Sequence, residues 1–541
     1  MSRKSAGDRY EERRKSLLST EKSLALGNSR GMFETVFAFP RPYNQAMAHL
    51  AFHRIHNQLS NWSDTVCSRA FLPERDEYNW RKRASAPAVT VDSGQPISHC
   101  DLLLFIIPGE TDYLPALEMM EMSGITLRAS QRREKWPLIF ATGLGVTANP
   151  MPLMPFFDAF LIGESEPILG PVLDTIKSMG RNAASKDAIL QQVADLPGML
   201  VPRIHGVSPR FGIMRQWAST ESVGALTGTI SAKSVIPDTW IVEIARGCPF
   251  NCRFCMPGYL YLPYREQHLE ELEETIRSIP KGEQVVFAAC TPSGHYQIDE
   301  ITAFAQGCGL VAHASSHRRD TPEMVEEIPS TYDVETLLMA PETGSDSLRK
   351  VLGKGRTNND YAHLLKNLDP RVKRIRINFQ IGLPFETDAD REENTRFVEM
   401  VQGHTTLPIT LRMDPFIPRP WTAFQWSPMQ NPARLRVLIE NFQRSVSKLG
   451  ITEIKGVSPR DAHIYALISR GDRKVAAALE TKLTDVGWNT AFEKAGVDMN
   501  WVFEHIEVGS QFGWDFLNMG FGYTRLAREF QAAAALDEER K

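Results

Sequence analysis

A chain of 541 residues that is 42% hydrophobic and 23% charged can bury several cores, and length alone predicts two to four domains. A formal net charge of -4 gives no reason to expect a general polyanion binder, and no nucleic-acid-binding signal stands out. Seven cysteines at this length do not make a disulfide framework, and reduced thiols fit a cytoplasmic protein.

In chain order, residues 1–30 read as a polar leader, a partly helical arm or a disordered one, without the apolar core of a secretory signal. The longest uncharged run, 136–157, contains Pro137, Pro150, Pro152 and Pro155, so no membrane span is expected. Residues 31–200 alternate between strand and helix. Apolar runs at 33–39, 102–107, 138–142 and 159–162 end in Pro40, Pro108-Gly109, Gly143 and Gly163-Glu164, and helical periods follow at 45–59, 114–122 and 167–178. Strands that end in glycine and feed helices predict a Rossmann-like doubly wound sheet with its ligand crevice at the strand carboxyl ends. Residues 201–236 read as a linker.

A second alternation fills 237–430, with strand-like runs at 240–244, 284–289, 310–314, 336–339, 374–381 and 409–415. Six such units fit a partial (β/α)6 barrel whose reacting groups sit at the strand carboxyl ends. Residues 431–541 read as a helical C-terminal region. The fold class is therefore α/β, with a helical end.

Directly after the first barrel strand comes Arg246-Gly247-Cys248-Pro249-Phe250-Asn251-Cys252-Arg253-Phe254-Cys255. Three thiolates on one loop suit three irons of a 4Fe–4S cluster and leave the fourth iron open to a ligand. Structural zinc sites usually take four ligands, and no second pair follows at a suitable distance. A zinc site and coincidental buried cysteines are the alternatives.

Cys-x3-Cys-x-aromatic-Cys after a strand resembles the signature of the radical S-adenosylmethionine (SAM) superfamily, with Phe254 in the aromatic position. The resemblance implies that SAM chelates the open iron. Reduction would then break a carbon–sulfur bond, giving methionine and a 5′-deoxyadenosyl radical that takes hydrogen from a substrate. It also implies an electron donor such as flavodoxin or ferredoxin. Ala340-Pro341-Glu342-Thr343-Gly344-Ser345 is similar to that family's "PE-x-GS" segment, and Ser345 also reads as a helix cap. Residues Ile381 to Thr387 resemble the "IGLPGET" turn, with Phe385 in place of a glycine. Expected SAM contacts are Phe254, Thr291, Ser316, Arg318, Glu342, Gln380, Gly382 and Leu383. The Gly-Gly-Glu of many members is replaced by Cys290-Thr291-Pro292-Ser293-Gly294, where Cys290 is expected as a buried core thiol.

Three further stretches are similar to the cobalamin-binding branch of radical SAM proteins: 137–166, Cys252 to Glu266, and Pro415 to Trp426. That resemblance implies a corrin on the N-terminal domain, and the expected contacts are Tyr43, Gly109, Glu110, Thr142, Gly143, Gly163 and Glu164. The branch's Asp-x-His-x-x-Gly signature is absent. His49, His53 and His56 share a helix face and are expected as a solvent-facing row, leaving cobalt without a histidine beneath it; one of them reaching cobalt is the alternative. Methylthiotransferase-like members carry a second cluster on three N-terminal cysteines, whereas this segment has Cys67 and Cys100. The expected function is SAM-driven radical chemistry, by default cobalamin-assisted methylation of an unactivated carbon in a small-molecule or peptide substrate. Radical cyclisation or rearrangement, a methylthiotransferase-like RNA modification, and a non-catalytic iron–sulfur or zinc-binding interaction protein are the alternatives.

Overall fold

The structure, a computed structural model, describes residues 5–24, 31–132, 134, 136–180, 185–206, 212–312, 335–368, 370, 372–452 and 454–541. The polar start folds as an arm. Ser5 caps a helix over Ala6–Leu18, its hydroxyl accepting from the Asp8 N–H while the Asp8 carboxylate accepts from the Ser5 N–H. A short strand, β1 (Glu21–Ser23), follows.

The first sheet holds β2 (Phe33–Phe39), β3 (Thr65–Phe71), β4 (Leu102–Ile106), β5 (Leu138–Thr142), β6 (Ala159–Leu161) and β7 (Met199–Leu200). They lie in the order β3-β2-β4-β5-β6-β7, parallel except for the last pair. This is the doubly wound order that reverses between its first and third strands, β2 and β4, which places a ligand crevice at their carboxyl ends. Strand alternation fills two cores. Phe37, Leu104, Phe140 and Leu161 face one side, and Val36, Phe105, Ala141 and Phe160 face the other.

The second of these cores continues past the sheet. It takes in Met256 and Leu260 after the cysteines, Ile377 and Leu411 of the second alternation, and Trp426 and Leu467 further on. Polar contacts cross the same boundary: Asn149 Nδ2 donates to the Ser469 and Gly471 carbonyls at 3.0 and 2.8 Å, and Trp421 Nε1 donates to the Ala148 carbonyl at 2.9 Å. Between the two alternations, β8 (Ile213–Met214) and β9 (Thr229–Ser231) bridge distant parts, β9 pairing antiparallel with β1.

All six strands expected after residue 237 are present. β10 (Thr239–Glu243) is followed by the two-residue β11 (Ala245–Arg246) and β12 (Arg265–Glu266), then β13 (Gln284–Ala288) and β14 (Val311–Ala312). β15 (Thr336–Glu342), β16 (Arg374–Ile381) and β17 (Ile409–Pro415) come next, and β18 (Ile454–Lys455) extends them. They form two parallel arcs, β10-β13-β14 and β15-β16-β17-β18. Among the described residues no ladder joins β14 to β15, so a closed barrel is not shown. The tail is mostly helical, but β19 (Leu517–Asn518) pairs with β8. Among the described residues no helix is long and apolar enough to cross a membrane.

Candidate active site

The cysteine loop has a defined neck. β11 and β12 pair antiparallel, with Ala245 opposite Glu266 and Arg246 opposite Arg265, so residues 247–264 leave and return through one point. Gly247 sits at φ +86°, and a Cβ there would lie 2.7 Å from the Tyr261 carbonyl oxygen, so the loop start packs directly on its end. Arg253, between two of the cysteines, braces the outer side. Its N–H donates to the Leu352 carbonyl at 2.9 Å, its Nη1 to the Val351 carbonyl at 2.9 Å, and its Nε lies 3.2 Å from Glu529.

Cys248 and Cys252 are buried and Cys255 is half-buried. Burial first, then the neighbouring thiols of Cys252, Cys248 and Cys290, pushes the Cys255 thiol well above its ordinary value. Thiols held so close ionise together only when positive charge sits among them. An iron–sulfur cluster provides that charge, and an all-thiol donor set fits it. Among the described residues no three His, Cys, Asp or Glu side chains are placed to hold a single metal ion. The Thr291 hydroxyl lies 3.5 Å from Cys248 Sγ.

A cavity of about 440 Å³ opens above the loop. Cys252, Phe254 and Cys255 line it, together with Glu342 and Gln380 of the second arc. Glu342 has a left-handed backbone at φ +64°, uncommon for a residue with a side chain. Its buried carboxylate accepts from Lys354 Nζ at 3.0 Å and Gln380 Nε2 at 2.8 Å. An ionised carboxylate offers about four acceptor positions, so capacity remains for a ligand donor.

Other expected SAM contacts are placed elsewhere. Gly382, at φ +75°, turns its N–H onto Glu386 at 2.9 Å, and Leu383 is buried in a cluster with Phe416 and Phe424. Neither lines the cavity, nor does Thr291. Ser316 and Arg318 lie outside the described residues. Cys290, expected as a core thiol, instead lines the cavity. Sequence reasoning passed over Asn378, Arg412 and Asp414, which also line it. They belong to the alternate polar rows of β16 and β17, where Asn378 is in register with Arg412 and Gln380 with Asp414. That alternation was the available signal.

The opposite wall comes from the N-terminal sheet. Gly109, Glu110, Thr142, Gly143, Gly163 and Glu164 line the same cavity at the carboxyl ends of β4, β5 and β6. Tyr43 does not: its hydroxyl donates to Glu21 at 2.7 Å and its ring meets Phe71 edge-on. The histidine row is corrected too. His53 and His56 are buried, with His53 Nε2 3.0 Å from the Met47 carbonyl oxygen and His56 Nε2 3.3 Å from Ser60 Oγ. His49 alone of the three lines the cavity, and its Nδ1 accepts the Phe52 N–H at 3.3 Å. Burial, the largest cause in each case, pulls the three imidazoles down to about 3, about 4 and about 3 in chain order, so all are neutral at pH 7.

A three-cysteine loop follows the first strand of a parallel α/β arc, a placement that fits an iron–sulfur protein. Residues 242–398 match the radical SAM superfamily, and residues 51–202 match the N-terminal region of radical SAM proteins. The chain belongs to the radical SAM superfamily and is an enzyme, and membership implies a 4Fe–4S cluster and SAM. It is 24% identical to an uncharacterized protein of Methanocaldococcus jannaschii over 84% of this chain and 93% of that one. It is also 24% identical to the tRNA-2-methylthio-N(6)-dimethylallyladenosine synthase of Desulforamulus reducens, over 42% of this chain and about half of that protein (53%). Among solved structures, the radical SAM methyltransferase TsrM of Kitasatospora setae, with cobalamin and a 4Fe–4S cluster, aligns with TM-score 0.33 and 11% identity over 78% of this chain and 74% of that one. The cobalamin-dependent SAM radical enzyme OxsB aligns with TM-score 0.44 and 12% identity over 83% of this chain and 65% of that one.

Proposed function

We propose that this radical SAM enzyme holds a corrin between the two walls of the cavity and methylates an unactivated carbon. The observation that carries the reading is the continuity of one cavity from the carboxyl ends of the N-terminal strands to Cys252 and Cys255. Its N-terminal wall places Gly109, Thr142, Gly143 and Gly163 at a doubly wound sheet's ligand crevice, beside larger side chains such as Arg41, Ile106 and Leu144, and the crevice suits a broad, flat ligand.

Cys248, Cys252 and Cys255 would hold the cluster, which when bound supplies the electron that breaks a carbon–sulfur bond of SAM. Cobalamin, when bound, supplies the methyl group, and a second SAM replenishes it. The net reaction takes R–H, two SAM and two electrons to R–CH3, methionine, 5′-deoxyadenosine and S-adenosylhomocysteine. The protein's part is binding and orientation. Glu342, held by Lys354 and Gln380, accepts from a SAM hydroxyl or amino group. Phe254 packs on the aromatic cluster behind the loop and presents an apolar edge to the cavity. Asn378, Arg412 and Asp414 give the substrate side polar contacts, with Arg412 Nε 2.5 Å from Asp414 Oδ2 and the Val457 N–H donating to Asp414 Oδ1 at 2.8 Å.

The test needs no substrate. Cobalamin-loaded, reduced protein mixed with SAM should release S-adenosylhomocysteine in a burst equal to its corrin content. Slower formation of 5′-deoxyadenosine should follow and be absent in Cys252→Ala. Deoxyadenosine without any S-adenosylhomocysteine burst would refute methyl transfer and favour radical rearrangement.

A further inference from the structure

We propose that Glu164 is a positioning residue that clamps the neck of the cluster loop from the N-terminal domain. The inference rests on the radical SAM assignment and does not require a corrin. Glu164 lies just beyond β6, next to Gly163, where a carboxylate facing a cavity reads as a ligand contact. Its hydrogen bonds argue otherwise. Oε1 accepts from Arg265 Nη2 at 2.6 Å, while Oε2 accepts from Arg265 Nη1 at 2.9 Å, Arg246 Nη1 at 2.7 Å and the Ala218 N–H at 2.8 Å. Three donors converge on Oε2 and one on Oε1, so most of the carboxylate's acceptor capacity is spent on the protein itself.

The identity of the donors gives the role. Arg246 and Arg265 are Cα partners in the two-residue ladder that closes the cysteine loop. Arg246 is two residues before Cys248. A single carboxylate of the N-terminal domain therefore grips both ends of the loop that carries all three cluster cysteines. The grip is built in depth. Arg246 also pairs bidentately with Glu243 at 2.8 and 2.7 Å and lies 2.8 Å from Glu166, while Arg54 reaches Glu166 at 3.0 Å and Glu243 at 3.2 Å. Three arginines and three glutamates thus balance in charge at the seam of the two domains. The backbone fixes the same register: Gly163 bridges to Gln216, the Glu164 N–H donates to the Gln216 carbonyl at 3.0 Å, and a Cβ at Gly163 would lie 2.1 Å from that oxygen.

Removing the clamp should misplace the cluster without removing its ligands. In Glu164→Gln, half of the carboxylate becomes an amide donor facing guanidinium donors. The reconstituted full-length variant should keep its iron and sulfide content but show a broadened or shifted electron paramagnetic resonance signal of the reduced cluster with SAM. Its kcat for SAM cleavage should fall by about 100-fold, the scale of an ångström-size misplacement, while KM for SAM moves by less than about threefold. Glu164→Asp should restore part of the signal and rate. If Glu164→Gln does not fold, Arg265→Lys, which keeps the charge and loses the two-pronged contact, should show the same split to a smaller degree. Wild-type resonance and rate in either folded variant would overturn the proposal, as would a rise in KM alone.

Discussion

The two walls of the cavity meet a ligand with different chemistry. On the N-terminal side the strand ends present Ile106, Gly109, Thr142 and Gly143. Charges on that side are already committed: Arg41 pairs with Asp112 at 2.6 Å, Glu110 with Arg419, and Glu164 with two arginines. The other wall presents Cys252, Cys255, Glu342, Gln380 and Asp414, side chains with ionisable or polar atoms turned to the space. On the proposed function, one wall recognises a corrin and the other holds the cluster and SAM. Apart from Glu164, whose two arginines belong to the neck of the cysteine loop, variants on one wall should therefore leave the function of the other intact.

The largest effect is expected at the cysteines. Cys252→Ala should reduce 5′-deoxyadenosine formation, measured by chromatography, to background while retaining any corrin absorbance. A smaller change follows at Glu342. On the proposed SAM contact, Glu342→Gln, which removes the charge paired with the buried Lys354, should raise KM for SAM about tenfold, with cluster content unchanged. A corrin titration of the same variant should match wild type, and a weakened corrin site would break the division between the walls.

The smallest effect at neutral pH concerns the helix behind the N-terminal wall. The imidazoles of His49, His53 and His56 sit at about 3, 4 and 3, below the ordinary value of 6.5. The unfolded chain therefore takes up protons first as pH falls. Their contribution to stability is complete above about pH 6.5 and is lost progressively towards pH 4, by about 1.4 kcal/mol per pH unit for each group. Hydrogen exchange of the N-terminal strands should accelerate over that window, and His56→Gln should flatten the slope. Exchange rates that do not change between pH 6.5 and 4.5, after correction for the intrinsic pH dependence, would show that these rings are not buried neutral.

Sequence patterns located chemistry better than partnership. Cys252, Phe254, Cys255, Glu342 and Gln380, which line the cavity, stood out in the sequence because each lies late in, or follows, a run of strand-like residues. β3 did not, because Thr65–Phe71 is an edge strand with Ser68 and Arg69 in its middle and lacks an apolar run. Arg412 and Asp414 alternate with apolar residues, a pattern that also describes a solvent-facing strand. Glu164 was read as a ligand contact because its partners lie 82 and 101 residues further along the chain, beyond any local pattern. The histidine spacing established a shared helix face, but whether that face is wet or dry depends on Phe37 and Phe71, which pack on Phe52 from neighbouring strands.

Gly109 offers the most direct test of a corrin opposite the cluster. Its backbone is extended, and an added Cβ would meet nothing closer than Asp112 Oδ2 at 4.0 Å, so a side chain can start there, at the cavity edge, without backbone strain. Full-length protein produced with cobalamin should purify with stoichiometric corrin absorbance. Gly109→Leu should lose that absorbance and still cleave SAM at the wild-type rate. Wild-type protein that stays colourless in the corrin region at saturating cobalamin, while cleaving SAM, would contradict the account.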